Sequence, residues 1–85
     1  MPDHVLHAWD DGNLAFTMIQ RPDGSRLMDC VLRHPTLAQV TRALQGYPTM
    51  QAQHQRMGMT FQLRVTSTDA AVQAFARTQG LPVNA

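Results

Sequence analysis

The chain has 85 residues, a formal net charge of +1 and a single cysteine, Cys30. This length leaves no room for a second domain, and one thiol cannot form an intrachain disulfide. A charge near zero argues against a broad phosphate-binding surface.

The first predicted element is a strand, Val5-Leu6-His7-Ala8-Trp9, followed by Asp10-Asp11-Gly12-Asn13. Asp-Gly between apolar stretches is a hairpin signal, because glycine accepts the positive φ that a tight turn requires. A second strand runs from Leu14 to Gln20, with Leu14, Phe16 and Met18 on one face. Pro22-Asp23-Gly24-Ser25 is the next turn, since proline presets φ and glycine takes the left-handed position. A third strand spans Arg26 to Arg33, with Met28, Cys30 and Leu32 on one face and Asp29 on the other.

Pro35 ends that strand. Thr36 and Gln39 have the capping-box spacing, in which hydroxyl and amide satisfy each other's free N–H groups. Leu37, Val40 and Leu44 form the apolar stripe of a short helix. Gly46 reads as its C′ residue and Pro48 as the stop.

A second hairpin is expected from Met50 to Thr66. Met59, Phe61, Leu63 and Val65 alternate with Thr60, Gln62, Arg64 and Thr66, the clearest period-two pattern in the chain. Met50, Ala52 and His54 alternate with Gln51, Gln53 and Gln55, so a turn is expected near Arg56-Met57-Gly58. A short helix capped by Thr49 is the alternative for the earlier half. A last helix starts at Ser67 or Thr68, with Asp69 favourable to its dipole. It buries Ala71, Val72, Phe75 and Ala76 and ends at Gly80, before Pro82.

The expected fold is therefore a single α+β domain, residues 1–85, of order βββ-α-ββ-α. Four to five antiparallel strands carry both helices on one face, leaving the other face polar. Phe16, Leu32, Leu37, Val40, Leu44, Phe61, Leu63, Val65, Val72 and Phe75 are the expected core. A shift of 34 residues superposes Gly24 on Gly58, Val31 on Val65, Gln39 on Gln73 and Gly46 on Gly80. That echo suggests a ββα repeat over about 14–48 and 49–82.

All seven basic residues are Arg and all six acidic residues are Asp. Without Lys and Glu, exposed helices lack their usual ion pairs. Residues Met1 to His4 carry no basic and apolar leader pattern, and no apolar run is long enough to span a bilayer. A cytoplasmic location without membrane contact is expected, in keeping with one cysteine.

No catalytic constellation emerges. His4 and His7 with Asp10 and Asp11 do not converge, because residues three apart on a strand point to opposite faces. Cys30 sits among apolar residues and lacks an orienting partner for His34, so it reads as a small buried hydrophobe. There is no phosphate loop and no nucleophile elbow, and no cofactor or metal is expected.

The reading that remains is a small non-catalytic protein-binding or accessory domain, forming a homodimer or holding another protein. Its expected contact surface is a neutral sheet face of Gln51, Gln53, Gln55, Arg56, Gln62 and Arg64, with Met50–Gln55 as the pairing edge. The alternative is a weak nucleic-acid binder using Arg26, Arg33, Arg56 and Arg64, although no aromatic stacking platform accompanies them. An enzyme subunit whose site forms between subunits is the third reading.

Overall fold

The computed structural model describes residues 2–85. In chain order the elements are β1 (His4–Asp10), β2 (Leu14–Gln20), β3 (Arg26–Arg33), α1 (Leu37–Arg56), β4 (Met59–Thr66), α2 (Ala70–Thr78) and β5 (Val83–Asn84). The α+β class holds: five strands form one sheet in the order β1-β2-β3-β4-β5. The sheet is mixed rather than wholly antiparallel. β1, β2 and β3 form an antiparallel meander, whereas β3–β4 and β4–β5 are parallel.

Local chemistry builds the meander. In the first turn Gly12 N–H donates to Asp10 Oδ1 at 2.8 Å. Asp11 Oδ1 accepts the N–H groups of Asn13 and Leu14 at 2.9 and 2.7 Å. In the second, Asp23 accepts from the Ser25 N–H and hydroxyl, and Gly24 takes a φ of +88°. A positive φ of this kind suits a residue without Cβ. β1 carries an irregularity between Val5 and His7, so Leu6 is extra relative to β2.

The largest departure from the sequence reading lies in the middle. Met50–Gln55 is not a strand, and there is no second hairpin. Instead α1 runs unbroken through Gly46 and Pro48 to Arg56, with Thr36 and Gln39 forming the expected capping box. A proline inside a helix forfeits one backbone hydrogen bond and crowds the preceding turn. Packing outweighs that cost here. Val40, Ala43, Leu44, Tyr47, Met50 and His54 recur at helical spacing, and together they lie over the sheet. The C′ glycine is Gly58, at φ +75°, not Gly46. Because a helix now links β3 to β4, those strands pair in parallel, as a crossover connection requires.

Both helices pack on one face of the sheet. Val40 from α1 and Val72 and Ala76 from α2 close around Val65. Further along α1, Ala43, Tyr47 and Met50 pack on Cys30, Phe61 and Leu63. The alternation in β4 is as expected: Met59, Phe61, Leu63 and Val65 are buried and Thr60 is exposed. Of the expected core, Phe16, Leu32, Leu44 and Phe75 are half-buried. Leu37 is a correction, being 47% exposed. It is the first helical residue, outside the stripe that begins at Val40.

α2 is capped by Asp69, not by Ser67 or Thr68. Asp69 Oδ1 accepts from the N–H groups of Ala71 and Val72. Ser67 is fully buried beneath that end, where its hydroxyl accepts the Asp69 N–H and its carbonyl accepts from the Gln73 amide. The 34-residue echo falls on two successive strand–helix units, β3–α1 and β4–α2, with Gly46 in mid-helix and Gly80 just past a helix end.

Candidate functional site

The sequence-predicted contact residues do not form one face. Gln51, Gln53, Gln55 and Arg56 lie on the last turns of α1, while Gln62 and Arg64 lie on β4. Gln62 and Arg64 alternate with the residues that meet the helices, so they occupy the opposite, helix-free face of the sheet. The expected edge, Met50–Gln55, is helical and has no strand backbone to offer.

The nucleic-acid candidates are also divided. Arg33 pairs with Asp10 at 2.5 Å. Arg64 meets Asp29 in a two-pronged contact, Nε to Oδ1 at 3.0 Å and Nη2 to Oδ2 at 2.6 Å. Both pairs bridge strands on the helix-free face. Asp29 is only 8% exposed, and its hydrogen bonds hold the Arg64 guanidinium even more firmly protonated than usual. Arg26 opens β3 and Arg56 closes α1; both are exposed. Two of the four cations are thus neutralised within the chain.

Two other features emerge. The first is β1. It is an edge strand of seven residues, every one of them exposed. The opposite edge, β5, has two residues. Among the described residues, five large hydrophobic side chains are notably exposed, and three of them belong to β1: Val5, Leu6 and Trp9. The remaining two, Leu37 and Met57, are widely separated along α1 and its cap. Trp9 is opposite Phe16, with ring centroids 5.9 Å apart, so it lies on the face that carries the helices. The only acidic charge on this strand, Asp10, is tied to Arg33. Its carboxyl is held below its usual value of 3.8 by the Gly12 N–H and then by Arg33.

The second feature is a groove. α1 packs over β4 and leaves the same face of β2 uncovered. The result is an open apolar cavity of about 280 Å³. Its floor includes Leu14, Phe16, Cys30 and Leu63; its helical wall includes Ala43, Gly46, Tyr47 and Met50. Gln39 and Arg42, both exposed, supply its polar margin. Tyr47 ties wall to floor, donating its hydroxyl to the Phe61 carbonyl at 3.3 Å.

No protein-family model, curated protein or solved structure matches this chain. The functional reading therefore rests on β1 and the groove.

Cys30 contributes apolar surface. Burial pushes its thiol up to about 11, with the neighbouring Asp29 charge adding to the effect. At neutral pH the nucleophilic thiolate is almost absent. The native protein is expected to resist alkylation by iodoacetamide at pH 7.5 and to react promptly once unfolded in urea. Equal rates in the two states would contradict the placement of Cys30. Among the described residues, no three His, Cys, Asp or Glu side chains gather where they could hold a metal ion. No helix there is long and apolar enough to cross a membrane.

Sequence reasoning missed both features. Edge status depends on strand order, which single-strand patterns do not encode. A signal for β1 was present all the same: Val5, Leu6 and Trp9 crowd one short strand that has no polar face of its own.

Proposed function

We propose that this chain is a small non-catalytic protein-binding domain that pairs with a second copy of itself through β1. The observation that carries this reading is the concentration of exposed apolar side chains on a long uncovered edge. An open edge offers a row of free N–H and C=O groups, and protein sheets normally protect such rows with lysine, proline, a bulge or cover. Beyond the bulge at Leu6, His7–Asp10 carries none of these, and Arg33 neutralises its one acid.

A two-fold axis lets one strand meet its own copy in antiparallel fashion. His7–Asp10 is the regular half of the strand, beyond the irregularity at Leu6. An axis through Ala8 sets Trp9 of one copy beside His7 of the other, on the same face. Trp9 then loses water on both flanks, against Phe16 within its own chain and against the second copy. A domain this small gains proportionally from such association. A cytoplasmic location fits the same reading, because the lone thiol is buried and no disulfide staples the fold.

Sedimentation equilibrium tests it. The parent is expected to have twice the 9.5 kDa chain mass at micromolar concentration. Ala8→Lys, an exposed change, sets two like charges face to face at the axis and is expected to restore the single-chain mass. A parent that stays single at high micromolar concentration overturns the proposal, and a Lys variant that stays double moves the interface away from β1.

A further inference from the structure

We infer that the groove between α1 and β2 is a binding site for a medium-chain fatty carboxylate, its chain lying over Phe16 and Cys30 and its head group at Arg42. This goes beyond pairing through β1 and does not depend on it.

Three observations carry it. First, the cavity is lined almost wholly by apolar side chains, and its volume of about 280 Å³ lies at the low end of small-molecule pockets. It has room for one flexible chain. The floor stays uncharged at neutral pH, because the thiol of Cys30 is neutral when buried there.

Second, Gly46 stands in the wall where neither backbone conformation nor close packing requires glycine. It lies in mid-helix, where glycine is less favourable than alanine. Its φ is not positive, so no turn requires it. A Cβ built there would meet nothing within 4 Å, so no close packing requires it either. It lines the groove and faces open space, so a larger side chain there has room to project over the cavity.

Third, the charge at the margin is of one sign. Arg42 lines the groove, and among the described residues it makes no ion pair. No Asp lines the cavity. A guanidinium presents a planar fork that fits a carboxylate through two parallel hydrogen bonds. Gln39, on the same wall, has its amide oxygen committed to the Thr36 N–H, which leaves Arg42 as the charged group at the margin. An apolar groove with one unpaired guanidinium among its lining residues selects an apolar chain with an anionic end.

The test is a titration of the full chain with decanoate, and separately with decanol, followed by amide chemical shifts. Decanoate should shift Phe16 and residues 43–50 saturably, while the β1 amides change little. Arg42→Gln should weaken decanoate binding about tenfold and leave decanol binding unaltered. Gly46→Leu, which adds bulk into open space, should abolish both. The site is refuted if decanoate gives no saturable shift up to millimolar concentration, or if decanol binds the parent as tightly as decanoate. General broadening across the chain, as from a detergent, refutes it equally. Sedimentation of the same samples keeps this outcome separate from pairing through β1.

Discussion

Phe61→Ala is expected to lower stability by about 3–5 kcal/mol, the usual range for removing a buried aromatic side chain. Phe61 is 5% exposed. It sits where α1 crosses β4, with the ring of His54 at 4.9 Å and that of Tyr47 at 5.7 Å. Neither neighbour can collapse into the space. The Tyr47 hydroxyl is held by the Phe61 carbonyl, and His54 Nδ1 donates to the Met50 carbonyl at 2.6 Å. Wall and floor would therefore stay apart around a cavity. A chain of 85 residues has about 4–12 kcal/mol of stability in total at the usual per-residue range. The variant should accordingly be largely unfolded at 37 °C or close to it. Urea unfolding followed by circular dichroism measures the effect, and a loss below about 1 kcal/mol would contradict the packing of α1 on β4.

The second large effect belongs to Asp29 and Arg64. Arg64→Thr removes the guanidinium and leaves the Asp29 carboxylate nearly buried without its partner. Stranding a buried charge costs more than the pair contributes. Arg64 is partly solvated, so water softens the loss, and a destabilisation of about 1–3 kcal/mol is expected. Replacing both residues, as Asp29→Val with Arg64→Thr, should recover most of that loss, because β-branched residues suit adjacent strands and no charge is stranded. Parallel urea curves for the two singles and the double form a cycle that isolates the coupling. A single variant as stable as the parent would mean that water already satisfies Asp29.

How legible these features were follows from where each is encoded. The two turns and the capping box involve residues within four positions of one another, so local chemistry specified them. β4 was legible because its alternation runs through eight residues. The middle of the chain was not. Met50, Ala52 and His54 fit a period of two, but Tyr47, Met50 and His54 fit a helical period equally well. Gly46 and Pro48 point to a break, because both disfavour helix interiors when nothing else intervenes. The deciding fact is tertiary: the stripe from Val40 to His54 covers Phe61, Leu63 and Val65, and that burial outweighs two poor helix formers. One local hint pointed the right way. Between Tyr47 and Arg56 the only β-branched residue is Thr49, a composition that suits a helix better than a strand.

That single change of element relocated the candidate site. A hairpin would have placed Met50–Gln55 at an open edge; a helix there makes β3 and β4 parallel neighbours and leaves β1 as the long free edge. The sequence offers Arg33 and Arg64 as available cations, but their partners Asp10 and Asp29 lie 23 and 35 residues away in the chain. Pairings at that separation follow from register, which single-strand patterns do not carry. The groove was invisible for the same reason, since it exists only because α1 lies over β4 and not over β2.

Amide hydrogen exchange read along β1 as a function of protein concentration tests the central claim most directly. Half of the β1 backbone groups face β2 and should be protected at any concentration. The outward-facing amides are free in the single chain. If β1 is the pairing edge, their exchange should slow at least tenfold between low and high micromolar concentration, with the change centred on Ala8 and absent in Ala8→Lys. Outward amides that exchange at the same rate across that range, while the mass doubles or while it does not, would contradict β1 as the contact surface.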